Sequence, residues 1–470
     1  MEGWKIGFPS FHPSILPFFQ QLHLMLTYES ALAYIDTFIN SERSPDFSRQ
    51  ARLYNLERIS RLLALLGNPH RGLKIIHVAG SKGKGSTAAM IASILTHAGY
   101  KTGLFSKPHL ITPRERCRIN SRLISEAEFA AYVTRLKPSI ETVAAMKEIG
   151  AVSFFEIYTA LAFCYFADNA VDFAVIEVGL GGRLDATNIV DPLVSVITPI
   201  SLEHTAILGS THEAIAKEKA EIIKPNRPLV LAPQPPGAQS VFETVAAARN
   251  APIDQVGRGI HLKRKDWDIN GQRFDLETPN ESYPNLFLPL LGEHQAINAA
   301  TAIACVERIK PLGYSIPRMS LYDGLKGLRW PGRMQVVSQA PFVLLDGAHT
   351  PTSAEALCKA IHEVFRYERL IFVVGLMRDK NVRGIGEVLC PVADLIIATQ
   401  AFDNPRAIPA EEIAHKWSDV GADVRVRPTV REAIQLARSV ATPSDVICIT
   451  GSIILVGEAM KVLGLEISET

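Results

Sequence analysis

An apolar run leads into HVAGSKGKGST at residues 77–87, where three glycines, two lysines and a Ser-Thr pair precede a helical pattern. Small residues let backbone N–H groups close on an anion, and a helix behind them adds its positive end. Lys84 supplies a point charge, and Ser86 or Thr87 offers a hydroxyl to a phosphate-bound magnesium. The strict expression Gly-x-x-x-x-Gly-Lys-Ser/Thr is not met, because Val78 stands where its first glycine belongs and Gly85 separates Lys84 from Ser86. A glycine-rich turn with solvated lysines has the same local composition. The strand–loop–helix setting favours a phosphate cradle.

Two further residues stand out by position. Glu177 interrupts the apolar run Phe173–Val178, and a lone buried carboxylate needs a cation. Magnesium beside a bound phosphate would serve, as would a salt bridge to Arg183. Ser210-x-x-Glu213 forms a capping box, predicting a helix from about residue 211. On it Ile215, Lys219, Ile222 and Ile223 share one face, while Lys217, Glu221 and Lys224 occupy another. Lys219 therefore points toward protein. Such a lysine either snorkels to water or carries a depressed pKa that frees its amine for covalent or metal-linked chemistry. His204, in Glu203-His204, precedes this helix. GLGGRL (179–184) is only a loose dinucleotide fingerprint, without the spacing or a following helix.

The elements that must position these residues follow from periodicity. Residues 28–70 read as helical, with Leu53, Leu56, Ile59, Leu63 and Leu66 in step, ending at Gly67-Asn68-Pro69. Residues 73–80, 173–182 and 193–200 are apolar strands, and helices are expected after the glycine loop and over 153–168. Apolar runs alternating with helices predict a mostly parallel sheet covered on both faces. From 225 to about 290 the chain turns proline-rich, and Asn270-Gly271 sits between alternating segments, predicting a small β region built on a hairpin. Beyond LRWPGR (328–333) strands are expected at 342–346, 370–375, 394–399, 423–427 and 446–450. The fold class is thus α/β: a P-loop-containing, mostly parallel sheet domain over 1–332, then a C-terminal Rossmann-like α/β domain over 333–470.

At 470 residues, two or three domains are expected. Lys plus Arg numbers 49 against 48 for Asp plus Glu, a balance with no footprint for nucleic acid or an anionic membrane. The six scattered cysteines read as reduced buried thiols, not a disulfide frame or zinc site. The apolar start is broken by prolines, a poor signal peptide, so a cytoplasmic location is expected.

Taken in order, the blocks LERISRLLALLGNP, HVAGSKGKGST, FSKPHL, RERCRIN, FFEIYTALAF, VIEVGLGGRLDATN, EHTAILGSTHEAIAKEKAEIIKP, GEHQAINAATAI, WPGRMQVV, LLDGAHTP and ITGSIILVGEA resemble the folylpolyglutamate synthase/dihydrofolate synthase family. That family is related to the Mur peptidoglycan ligases, and the resemblance runs from about residue 28 to the end. It implies an ATP-dependent ligase in which a carboxylate becomes an acyl phosphate that the amine of L-glutamate attacks. Dihydropteroate or a reduced folate is the implied acceptor, and a monomer is implied. Gly80, Gly83, Lys84, Gly85, Ser86 and Thr87 match the phosphate loop, and Ser86, Glu177 and His204 match ligands of two Mg2+ ions. Lys219 matches a lysine carboxylated to a carbamate. Lys84, Lys219 and His204 are the implied catalytic set. Asn298, Arg333 and Asp346 match nucleotide-facing positions, His349 and Ser452 glutamate-facing ones, and Phe155 a pteroate-stacking one.

Three departures from the family pattern are Ser81-Lys82 for Thr-Asn, Lys107 for a small polar residue and Thr350 for Asn. A Mur-type ligase acting on a UDP-linked peptide and a non-catalytic nucleotide-binding regulator are the competing readings. FFEIYTALAF and RERCRIN weigh against the first, and the presence of Lys84, Glu177, His204 and Lys219 against the second.

Overall fold

The computed structural model describes residues 25–40, 42–43, 55–402, 404–420 and 423–467. Two sheets organise it. The first holds β1 (Ile75–Ala79), β2 (Thr102–Phe105), β3 (Cys117–Ile119), β4 (Arg122–Leu123), β5 (Phe173–Glu177), β6 (Val194–Ile197), β7 (Leu229–Leu231), β8 (Ile253–Val256), β9 (Gly259–Asp268), β10 (Gly271–Glu277) and β11 (Ser282–Leu288). Their order across the sheet is β11-β10-β9-β8-β7-β6-β1-β5-β2-β3-β4. The strands from β2 to β8 around β1 pair in parallel, and antiparallel pairs occur only toward the two edges. β1 and β5 are buried along their whole length because helices cover both faces. On one face Lys84–His97, Glu293–Glu307 and Arg318–Lys326 build an aliphatic core. On the other, Tyr28–Asp36, Leu56–Leu65, Glu126–Ala144 and Phe154–Asp168 build an aromatic-rich one.

The second sheet holds β12 (Gln335–Gln339), β13 (Phe342–Leu345), β14 (Leu370–Val374), β15 (Leu395–Ala398), β16 (Val424–Val426) and β17 (Val446–Thr450), in the order β12-β13-β17-β14-β15-β16. All five expected strands are present. β12 was not expected; it is an antiparallel edge strand, only half-buried, whose polar ends blur its pattern.

Three expectations change in detail. Residues 28–70 contain two helices, Tyr28–Asp36 and Leu56–Leu65, and Leu53 falls outside the described residues. The β region expected near 225–290 is a continuation of the main sheet, because β8 pairs in parallel with both β7 and β9. Its proline cluster starts a helix, Pro236–Ala248, where a proline in the first turn forfeits no intrahelical hydrogen bond. The helix carrying Lys219 spans His212–Ala220 and is capped by Thr211, not Ser210.

Candidate active site

The parallel ladder brings the phosphate loop and Glu177 together. β1 and β5 are neighbours with Val78 opposite Glu177, so both strands deliver their C-terminal ends to one crevice. Beyond β1 the chain turns through Gly83, at φ +85°, and starts the helix Lys84–His97. Lys84 Nζ folds back onto the carbonyls of Gly80 (3.1 Å) and Ser81 (3.3 Å). Ser86 and Thr87 are buried in the first turn, and Thr87 Oγ1 has no hydrogen-bond partner. A Cβ on Gly85 would lie 3.3 Å from Glu177 Oε2, so glycine between Lys84 and Ser86 gives the carboxylate its room.

Arg183 pairs with Glu218 (3.1 Å), which leaves the suggested Glu177–Arg183 bridge unmade. Glu177 instead accepts the Lys107 N–H at 3.1 Å. Burial raises its carboxyl pKa, and Lys84 and Lys107 offset only part of that rise. A buried carboxylate in this state favours an added cation.

Lys219 is inward, as its helix face requires, and Lys217 is exposed. Its Nζ donates to Gly80 O at 2.8 Å, so two lysines share one carbonyl. Burial, reinforced by Lys84, brings its pKa down to about 7. His204 occupies a left-handed turn (φ +53°), with Nε2 3.8 Å from Glu203 Oε1. Burial depresses its pKa strongly, so the ring is neutral at physiological pH and keeps a lone pair.

The facing wall comes from the second sheet and the connection before it. Asn298 packs on Gly83 and donates to Gln295 (3.0 Å). Asp346, just after β13, accepts the N–H groups of Met334 and Ala348, each at 2.8 Å. His349 Nδ1 donates to Gly347 O (2.7 Å), and Ser452 caps the helix Ile453–Val462 by accepting Leu455 N–H (3.0 Å). Arg333, which joins the two sheets, lies against Gly347.

Every catalytic, nucleotide-, substrate- or metal-binding residue expected from the sequence except Thr87 and Phe155 lines this cleft of about 780 Å³. Phe155 lines an inner pocket of about 110 Å³, its ring 5.9 Å from that of Phe105 and over Gly179. The inner pocket and the cleft share Lys107 and His204.

A family model for the Mur ligase middle domain matches residues 78–306, and one for the Mur ligase glutamate ligase domain matches 332–453. The dihydrofolate synthase/folylpolyglutamate synthase of Bacillus subtilis (strain 168) is 37% identical over 415 residues, covering 86% of this chain and 94% of the relative. The chain belongs to the dihydrofolate synthase/folylpolyglutamate synthase family. Mycobacterium tuberculosis folylpolyglutamate synthase, solved in complex with ADP and AMPPCP, is similar at a TM-score of 0.84 and 35% identity, covering 88% of this chain and 96% of that one. Escherichia coli FolC in complex with DHPP and ADP gives 0.82 at 30% identity, with 94% and 98% covered. The likeness extends over most of the chain, beyond either family-model segment taken alone.

Within that fold, several cleft residues escaped the sequence reading. Asp185 is fully buried and accepts from Leu180 N–H (2.8 Å) and Thr187 Oγ1 (2.6 Å) beside Phe155. Arg116 grips Glu42, and Lys380 reaches Glu203 at 3.4 Å. Asp185, ahead of Ala-Thr-Asn, carried an N-cap signal that could have marked it. Lys380 is a charge among charges in sequence, and only the fold brings it to the cleft.

Proposed function

We propose that the chain joins L-glutamate to the carboxylate of dihydropteroate or a reduced folate, using ATP and passing through an acyl phosphate. The supporting observation is that the two pockets share Lys107 and His204 in their walls. A flat pterin stacked on Phe155 would send its carboxylate tail past Lys107 and His204 toward the phosphate loop. ATP's phosphates would take the loop N–H groups of Gly80–Gly85 and Lys84, while Asn298, Arg333 and Asp346 hold the nucleotide. The substrate carboxylate attacks the γ-phosphorus and ADP leaves. The glutamate amine, oriented by His349 and Ser452, then attacks the acyl carbon, losing a proton as phosphate departs. Walls from both sheets exclude water that would hydrolyse the acyl phosphate. We place the boundary between the two working domains at residues 332 and 333, and read the enzyme as a cytoplasmic monomer.

The residues present fit magnesium. Ser86 and Glu177 offer the hard oxygen donors it prefers, and Glu177 is a buried carboxylate short of positive charge. Among the described residues no group of three or more His, Cys, Asp or Glu could hold a metal alone, so phosphate oxygens and waters would complete the shell. His204 would join Glu177 at a second ion. Magnesium would offset the charge gathering on the transferred phosphoryl group. Lys219, substantially uncharged at neutral pH, is nucleophilic enough to add to CO2. Its nitrogen bonds to the carbon, one proton leaves, and a carbamate anion results.

Phosphate release from ATP, measured with dihydropteroate and with tetrahydrofolate side by side, tests this reading. Release must require both the pterin substrate and L-glutamate. Activity confined to a UDP-muramyl substrate would overturn it.

A further inference from the structure

Glu203 receives side chains from both walls of the cleft. Its Oε2 accepts Lys82 Nζ, from the phosphate loop, at 2.9 Å. Its Oε1 lies 2.9 Å from His349 Nε2 and 3.4 Å from Lys380 Nζ, both belonging to loops of the second sheet. Lys82 Nζ is itself 3.4 Å from His349 Nε2. One carboxylate therefore stands between two ammonium groups on opposite walls. Side-chain exposures of 23% for Lys82, 11% for Lys380 and 9% for Glu203 leave little water to screen them. Without Glu203 the two lysines would repel across the cleft. Burial lowers the Lys82 pKa to about 8; Glu203 supports the charge, and Lys380 and Lys84 depress it further. Asp379 is no substitute, because it pairs with Arg406 as well as Lys380.

We propose that Glu203 is a positioning residue that draws the two walls together, acting through Lys82 on one side and through Lys380 on the other. It makes no contact with reacting atoms. By drawing in the wall that carries His349, it brings that ring over the phosphate loop, where the incoming amino acid must sit, and in that respect it rests on the ligase reading above. Lys82, a departure from the family pattern, thereby gains a role: it is the near-wall half of the bridge.

Glu203→Gln keeps the shape and removes the charge. The expected result is a KM for L-glutamate raised about ten-fold or more, with a smaller change in kcat. X-ray scattering with AMPPCP bound should show a larger radius of gyration than wild type, whether or not turnover occurs. Glu203→Asp should retain most of the wild-type KM. The decisive reading is the sign of Lys82→Asn. It should raise the glutamate KM in the wild-type background and lower it in the Glu203→Gln background, where Lys82 is only a repelling charge. A merely structural ion pair would give the same sign in both, which would overturn the proposal. So would a lowered KM in Glu203→Gln alone, which would make Glu203 a competitor of the incoming carboxylate. Should Glu203→Gln not fold, Lys380→Gln must raise the glutamate KM and couple non-additively with Lys82→Asn. Failure of wild type to use glutamate would sink the ligase reading, while the scattering would still report on the bridge.

Discussion

Replacing Lys219 by Met should stabilise the protein and abolish its turnover. Lys219 is 4% exposed, and burial together with Lys84 brings its pKa from 10.5 down to about 7. Between those values the unfolded chain binds more protons than the folded one, so wild-type stability rises with pH across that window. The deficit is fully present below the window and gone above it. At ~1.4 kcal/mol per pH unit, the buried amine costs about 4 kcal/mol near pH 7 and about 2 kcal/mol near pH 9. Met fills a similar volume without charge but forfeits the bond to Gly80 O, worth about 1 kcal/mol. The net gain is then about 3 kcal/mol near neutrality, shrinking toward pH 9. Urea unfolding of both proteins in CO2-free buffer, at several pH values from 7 to 10, measures the difference directly. A difference that does not change with pH, or a Met variant less stable near neutrality, would mean that burial does not depress the Lys219 pKa.

Lys219→Ala should lose turnover and recover part of it when short carboxylates are added; full activity without rescue would reject the carbamate role. Glu177→Gln should cut phosphate release by about a hundred-fold, reflecting loss of a charge-stabilising group, and a magnesium titration should show weaker dependence of ATP binding on the metal. Phe155→Ala should raise the KM for the pterin substrate about ten-fold through lost stacking and burial, leaving the KM for ATP unchanged. Gly457→Ala would place a Cβ 1.9 Å from Leu110 O, where the helix Ile453–Val462 meets the loop behind Lys107; a lower thermal midpoint should accompany weakened use of both substrates.

Legibility in the sequence followed the range of the interactions. β1, β5, β14 and β17 were readable because strands buried on both faces must be apolar throughout. The hairpin at Asn270-Gly271 was readable because its turn chemistry is local. β8 gave no comparable sign that it joins the main sheet, since its burial is partial and its partners are distant in sequence. Lys219 was legible because a helix face is a local property, whereas its acceptor, Gly80 O, lies 139 residues away. Glu203 was visible only as a neighbour of His204. Its three partners come from three separate segments, and no spacing rule joins them.

The pairing of Val78 with Glu177 bears on how such a chain can diverge. The distance from phosphate loop to acid is written in main-chain hydrogen bonds between β1 and β5, not in any pair of side chains. Drift among apolar residues that keep those strands paired leaves the spacing untouched. A slip of one residue would turn Glu177 to the opposite face of the sheet and destroy it. The scaffold is thus permissive toward substitution and intolerant of insertion: lineages can exchange most of the residues in these two strands, but cannot lengthen either one between its first ladder bond and the site.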